Sequence, residues 1–203
     1  MTRRHFFAGL SLPVLTLDST GSYPPGFTIL PEKHLLSQES AAGYSALVAP
    51  LSPPRRTIIL RPGANRLSFV GALALRRALE AGASVLIECG LAFSAPSEIE
   101  EQRVVLRQAL GIQLRHPIVA ADPHHPYVAF EPGHFIRPFG LTFPVFREGG
   151  QPLAHFGEIQ VAFKARLGSG TLIFLGAMLG PHLQAFDPDG LHIAANLLAD
   201  LNC

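Results

Sequence analysis

The chain of 203 residues has no tryptophan, two cysteines, two methionines and three tyrosines. Two cysteines, Cys89 and Cys203, cannot form a disulfide framework, and no zinc-type cysteine spacing occurs. Charged residues make up only 15%, and the formal net charge is +1. The basic pairs Arg3-Arg4, Arg55-Arg56 and Arg76-Arg77 are isolated, so nothing supports a nucleic-acid partner. No apolar run reaches the length of a membrane span. Against these shortages stand 48% hydrophobic residues, enough for the sizeable core of one α/β domain.

The N-terminus admits two readings. Thr2-Arg3-Arg4-His5-Phe6-Phe7 resembles the twin-arginine export motif, with an apolar stretch to Leu17 and small residues at Ser19-Thr20-Gly21. Residues 1–21 are then a signal segment, 22–203 the domain, and the protein works outside the cytoplasm. Alternatively Leu12 to Asp18 is the first strand of a cytoplasmic protein. Export is favoured.

Further along, residues 19–43 read as loop, and 45–50 and 57–60 as short buried strands. A helix fits 68–81, capped by Ser68 and ended by Gly82, with Phe69, Val70, Leu73 and Ala74 on its apolar face. Strand Ser84 to Glu88 follows, ending on Cys89-Gly90 and completing a βαβ unit. Ser97-Glu98-Ile99-Glu100 is a capping-box pattern that opens a helix over 97–110, with Ile99, Val105, Leu106, Ala109 and Leu110 buried and Gly111 as its stop. Residues 115–157 are rich in proline, histidine and phenylalanine and read as ordered loop with one short strand at 127–130. Alternation over 159–166 predicts a half-buried edge strand; Leu167-Gly168-Ser169-Gly170 is a hairpin turn and 171–176 a buried strand. The last helix covers 188–201, capped by Asp187 with Pro188 at its first position.

A strand ending on cysteine, a late hairpin, a buried strand, Gly180-Pro181-His182-Leu183-Gln184 and a closing helix with Asn196-Leu197-Leu198 together resemble the class I glutamine amidotransferase-like superfamily. The resemblance implies a single flavodoxin-like α/β domain. Its sheet would be mostly parallel, with helices on both faces and an antiparallel hairpin at 159–176. It places Cys89 at the nucleophile elbow and His182 at the histidine position. Ile87 and Leu91 stand where the elbow has glycines, and Gln184 where it has glutamate. The sequence therefore favours a non-catalytic bacterial member that binds a small molecule or protein partner at the strand ends.

Three site hypotheses follow. A Cys89–His182 dyad, with Glu88 beside it as acid or base, would make a cysteine amidohydrolase. Arg61, Arg137 and Gln184 would bind an anionic or sugar-like ligand at the same face. Asp122, His124, His125, Glu131 and His134 hold the residue types of a metal-dependent hydrolase, but the spacing matches no helix-borne motif. No metal or other cofactor is assigned, and His124, His125 and His134 are the residues that would supply one.

Overall fold

The computed structural model describes residues 14–16, 58–64, 67–89, 95–119, 127–139 and 141–202. The strand expected at 45–50 and the histidines at 124 and 125 lie outside them.

Twelve strands and four helices alternate unevenly along the described residues. β1 (Val14–Thr16) and β2 (Ile58–Ala64) precede α1 (Phe69–Glu80), β3 (Ser84–Cys89) and α2 (Pro96–Leu110). Seven strands then follow: β4 (Gln113–Leu114), β5 (Ile118–Val119), β6 (Val128–Phe130), β7 (His134–Ile136), β8 (Leu141–Thr142), β9 (Val145–Phe146) and β10 (Gln151–Phe156). β11 (Ile159–Leu167), β12 (Gly170–Leu175), α3 (Gly180–Gln184) and α4 (Pro188–Asn202) complete the fold.

The main sheet runs β1-β2-β3-β12-β11-β10-β6-β7. The pairings β1·β2, β2·β3 and β3·β12 are parallel, and β12·β11, β11·β10, β10·β6 and β6·β7 are antiparallel. The two small sheets, β4·β9 and β5·β8, are antiparallel as well. The expected mostly parallel, flavodoxin-like sheet is therefore corrected to a mixed and mostly antiparallel one. The βαβ unit holds and the short strand expected at 127–130 is present as β6, but residues 115–157 also contribute β5, β7, β8, β9 and β10 where loop was expected. β11, expected at an edge, lies inside the sheet between β10 and β12.

Helix ends follow local chemistry. The Ser68 hydroxyl accepts from the Gly71 N–H at 3.1 Å. α2 starts differently from the expected capping box: Pro96 occupies its first turn, and Ala95 caps without a side-chain bond. Gly111 closes α2 in the left-handed region at φ 69°. On α1 the buried residues are Gly71, Ala72, Leu75 and Leu79, while Phe69 and Val70 are exposed. The apolar stripe is rotated from the expected one because α2 packs beside α1 and both cover the same sheet face.

Strand alternation divides the core into two layers. Val85, Ile87 and Cys89 of β3, with Leu172 and Phe174 of β12, face α1 and α2. Leu86, with Ile173 and Leu175, faces α3 and α4. Phe163 and Phe174 stack at 6.1 Å in the first layer, and full burial of each ring contributes about 2 kcal/mol. Polar anchors fix the helices: Gln102 exchanges two hydrogen bonds with the backbone of Leu67 at 2.9 and 3.0 Å, and Lys164 meets Asp200 at 2.7 Å. Among the described residues no helix is long and apolar enough to cross a membrane.

Candidate functional site

Glu88 and Cys89 are sequence neighbours on β3, so their side chains point to opposite faces of the sheet. Cys89, 2% exposed, sits in the aliphatic layer under α1 and α2. Burial pushes its thiol well above the usual range, and the adjacent Glu88 adds to this. Glu88 is 0% exposed on the other face, where its Oε1 accepts from the N–H groups of Leu179 (2.7 Å) and Gly180 (3.0 Å) at the start of α3.

His182 lies on that same α3. Its Nδ1 is 2.6 Å from Asp187 Oδ2, and its Nε2 is 2.8 Å from the carbonyl oxygen of Arg137. Both ring nitrogens are engaged, and the sheet separates the ring from Cys89. The structure thus does not assemble the expected Cys89–His182 dyad. A thiol that is buried and raised in pKa holds little thiolate at neutral pH. In a Cys203→Ser variant, Cys89 is expected to react with iodoacetamide at least about tenfold more slowly than a free thiol until the fold is opened by denaturant. Labelling at the free-thiol rate in the native state would show that the site is open.

The remaining expected residues are dispersed. Arg61 stands on β2 opposite Ile87 of β3, and Gln184 ends α3. Arg137 does reach His182, but through its backbone; its guanidinium donates to Tyr127 Oη at 3.2 Å and lies over the Tyr127 ring, 5.4 Å from the centroid.

What the structure gathers instead is a surface where the β6–β7 hairpin meets α3 and the start of α4. Phe139 packs edge-on against His182 at 5.2 Å. Tyr127, Phe135 and Phe139 are exposed, and Phe186 is 73% exposed. Phe186 also has φ 55°, an uncommon conformation for a bulky side chain, held by the α3–α4 turn, where the Asp187 N–H donates to the His182 carbonyl at 3.0 Å. Gly190 permits this close turn: a Cβ there would lie 2.6 Å from His182 Cβ.

Asp187 accepts from the Asp189 N–H through Oδ1 at 3.2 Å, capping α4 as expected. Asp189 reaches across to β7, accepting from the Phe135 N–H at 3.1 Å and meeting His134 Nδ1 at 3.3 Å. The Phe135 N–H, and then His134, hold its carboxyl below the usual range. The His192 ring stacks on His134 at 5.1 Å. Of this surface the sequence singles out His134, Arg137 and His182. Asp189 and His192 escape it because their partners are brought in by β7, which lies within the stretch expected to be loop. The Asp-x-x-His spacing at 189 and 192, which places both on one helical face, is the signal that could have found them.

An open depression between α2 and β4, lined by Glu100, Arg103, Arg107, Gln113 and Arg115, lies apart and contains none of the expected site residues. Arg103 there is already bonded to Glu100 and to the Leu114 carbonyl.

The sequence matches no family model, and no curated protein matches it. Solved structures do share its fold. The exo-β-1,4-mannosidase Op5Man5 from Opitutaceae bacterium strain TAV5 matches 72% of this chain with TM-score 0.51 at 19% identity, and 25% of its own length is covered. A cold-adapted β-galactosidase from Rahnella sp. R3 matches 79% with TM-score 0.50 at 15% identity, with 27% of its length covered. A cytoplasmic protein of Salmonella typhimurium LT2 matches 71% of this chain over 71% of its own, with TM-score 0.53 at 13% identity. The chain spans about a quarter of the glycosidases it matches. These neighbours, with the mixed sheet, replace the glutamine amidotransferase-like expectation: the likeness is to a fold found within glycoside hydrolases and, in the Salmonella protein, across most of a much shorter chain.

Proposed function

We propose that this chain is a carbohydrate-binding module of the kind built into glycoside hydrolases. It takes β-linked galactose- or mannose-type sugars on the surface formed by the β6–β7 hairpin and the α3–α4 turn. The observation that carries this reading is a set of exposed rings set among polar groups: Tyr127 under the Arg137 guanidinium, Phe139 against His182, and Phe186 next to Asp187 in the α3–α4 turn. Rings offer flat apolar platforms to the C–H face of a sugar, and the flanking charges offer hydrogen bonds to its hydroxyls. The match to only a quarter of the glycosidases supports a module rather than the whole enzyme.

Bond cleavage itself needs two carboxyl groups facing one cleft, roughly 5–9.5 Å apart. Glu88 is enclosed and committed to the α3 backbone, and Asp187 and Asp189 each hold a histidine. None of these three carboxyls is placed as such a pair, and the activity proposed for this surface is sugar binding.

Affinity electrophoresis in galactan- or mannan-containing gels is expected to retard the protein, and Tyr127→Ala or Phe139→Ala to weaken retention about tenfold, the loss of one ring platform. The same preparation is expected not to release p-nitrophenol from its β-galactoside or β-mannoside. Unretarded migration in both gels, or sustained hydrolysis, contradicts the proposal.

A further inference from the structure

The geometry points to a divalent transition-metal site of the zinc class formed by His134, Asp189 and His192. One ligand atom from each of the three lies within 4.8 Å of the others. His134 comes from β7, while Asp189 and His192 come from one face of the first turns of α4, so the ion would clamp the hairpin onto the helix.

The donor set selects the ion. Two imidazoles and one carboxylate suit zinc and its neighbours, whereas calcium and magnesium prefer oxygen alone. Around a tetrahedral zinc with bonds of about 2.0–2.1 Å, ligand atoms stand roughly 3.4 Å apart. His134 Nδ1 and Asp189 Oδ1 already stand at 3.3 Å, and metal binding requires the His192 ring to turn out of its stack on His134 to bring its donor nitrogen onto the same ion.

The carboxylate is oriented from outside the cluster as well. Its Oδ2 accepts from the Phe135 N–H, the kind of support that fixes the orientation of a metal ligand. Three protein ligands leave a fourth position for water or another donor. The site differs from the metal set expected from sequence, sharing only His134 with it; it lies on the β7–α4 side of the proposed sugar surface, and its metal-binding test is run without sugar.

The full chain, stripped with chelator and free of sugar, is titrated with Zn²⁺ against a chromophoric competitor. Binding of a single ion per chain is expected, with Co²⁺ substitution giving the intense visible bands of a tetrahedral site. Asp189→Asn and His192→Ala are each expected to weaken binding at least about tenfold, while His116→Ala leaves it unchanged. The side-chain amide introduced by Asp189→Asn keeps a carbonyl oxygen to accept from the Phe135 N–H, so the hairpin stays docked in that variant. Zinc-edge X-ray absorption on the unmodified chain gives a readout independent of variant folding and is expected to show imidazole scattering. Absence of stoichiometric binding, affinities unmoved by both substitutions, or a spectrum without imidazole overturns the assignment.

Discussion

Glu88→Ala is expected to lower stability by about 3–5 kcal/mol, because it leaves two buried backbone donors without their acceptor and opens a cavity beside them. The carboxylate is fully enclosed, and its Oε1 receives the N–H groups of Leu179 and Gly180, themselves buried. Those two groups begin the turn that positions His182, Phe186 and the start of α4, so the loss is felt at the surface as well as in the core. Glu88→Gln keeps an acceptor oxygen in place and is expected to lose only about 1–2 kcal/mol. Urea denaturation followed by circular dichroism measures both. A Glu88→Ala midpoint equal to that of the unmodified chain, at unchanged slope, would contradict this role.

Gly176→Ala is expected to be at least as damaging, by about 3 kcal/mol or more. Gly176 follows β12, where its N–H donates to the Val161 carbonyl at 2.7 Å and its own carbonyl accepts from the Phe143 N–H at 2.8 Å. A Cβ there would lie 2.0 Å from the Phe143 carbonyl oxygen and 2.9 Å from that of Val161. Both obstacles are backbone, so neither can swing aside, and relief requires breaking the bonds that join β12 to the β8–β9 segment. Gly149→Ala makes the contrast. Gly149 has φ 70° but nothing within 4 Å of a Cβ, so its replacement is expected to lose only the left-handed penalty of about 1–2 kcal/mol. Equal thermal shifts for the two variants would show that backbone conformation, and not close approach, governs Gly176.

The parts of the fold legible in the sequence are those with strong local signals. Ser68, Gly111 and Asp187-Pro188 mark helix ends, and the apolar runs of β3 and β12 mark buried strands. β6 falls where the short strand at 127–130 is expected, but β7 and β10 carry no such signal. β7 is three residues long and follows Pro132 and Gly133, β10 contains Pro152, and their buried side chains are covered by the α3–α4 layer once the strands pair with β6 and β11. With these strands hidden, local pattern understates the antiparallel share of the sheet. The same gap moves the expected site to Cys89. Alternation along β3 alone sets Glu88 and Cys89 on opposite faces, and so separates the cysteine from any histidine near Glu88. His182 is identifiable as a histidine of interest from its place after the last buried strand, but its partners Asp187 and Arg137 depend on how the hairpin folds over α3.

Val14–Thr16 pairs in parallel with Ile58–Leu60 at one end of the main sheet among the described residues.

Hydrogen exchange with and without a β-linked galacto- or manno-oligosaccharide tests most directly whether the functional surface is the one formed by the β6–β7 hairpin and α3–α4. Slowed exchange confined to residues 127–139 and 182–192 is predicted, with α2 unchanged. Protection centred instead on α2 around Arg103 and Arg107, or no protection with either sugar, would contradict it.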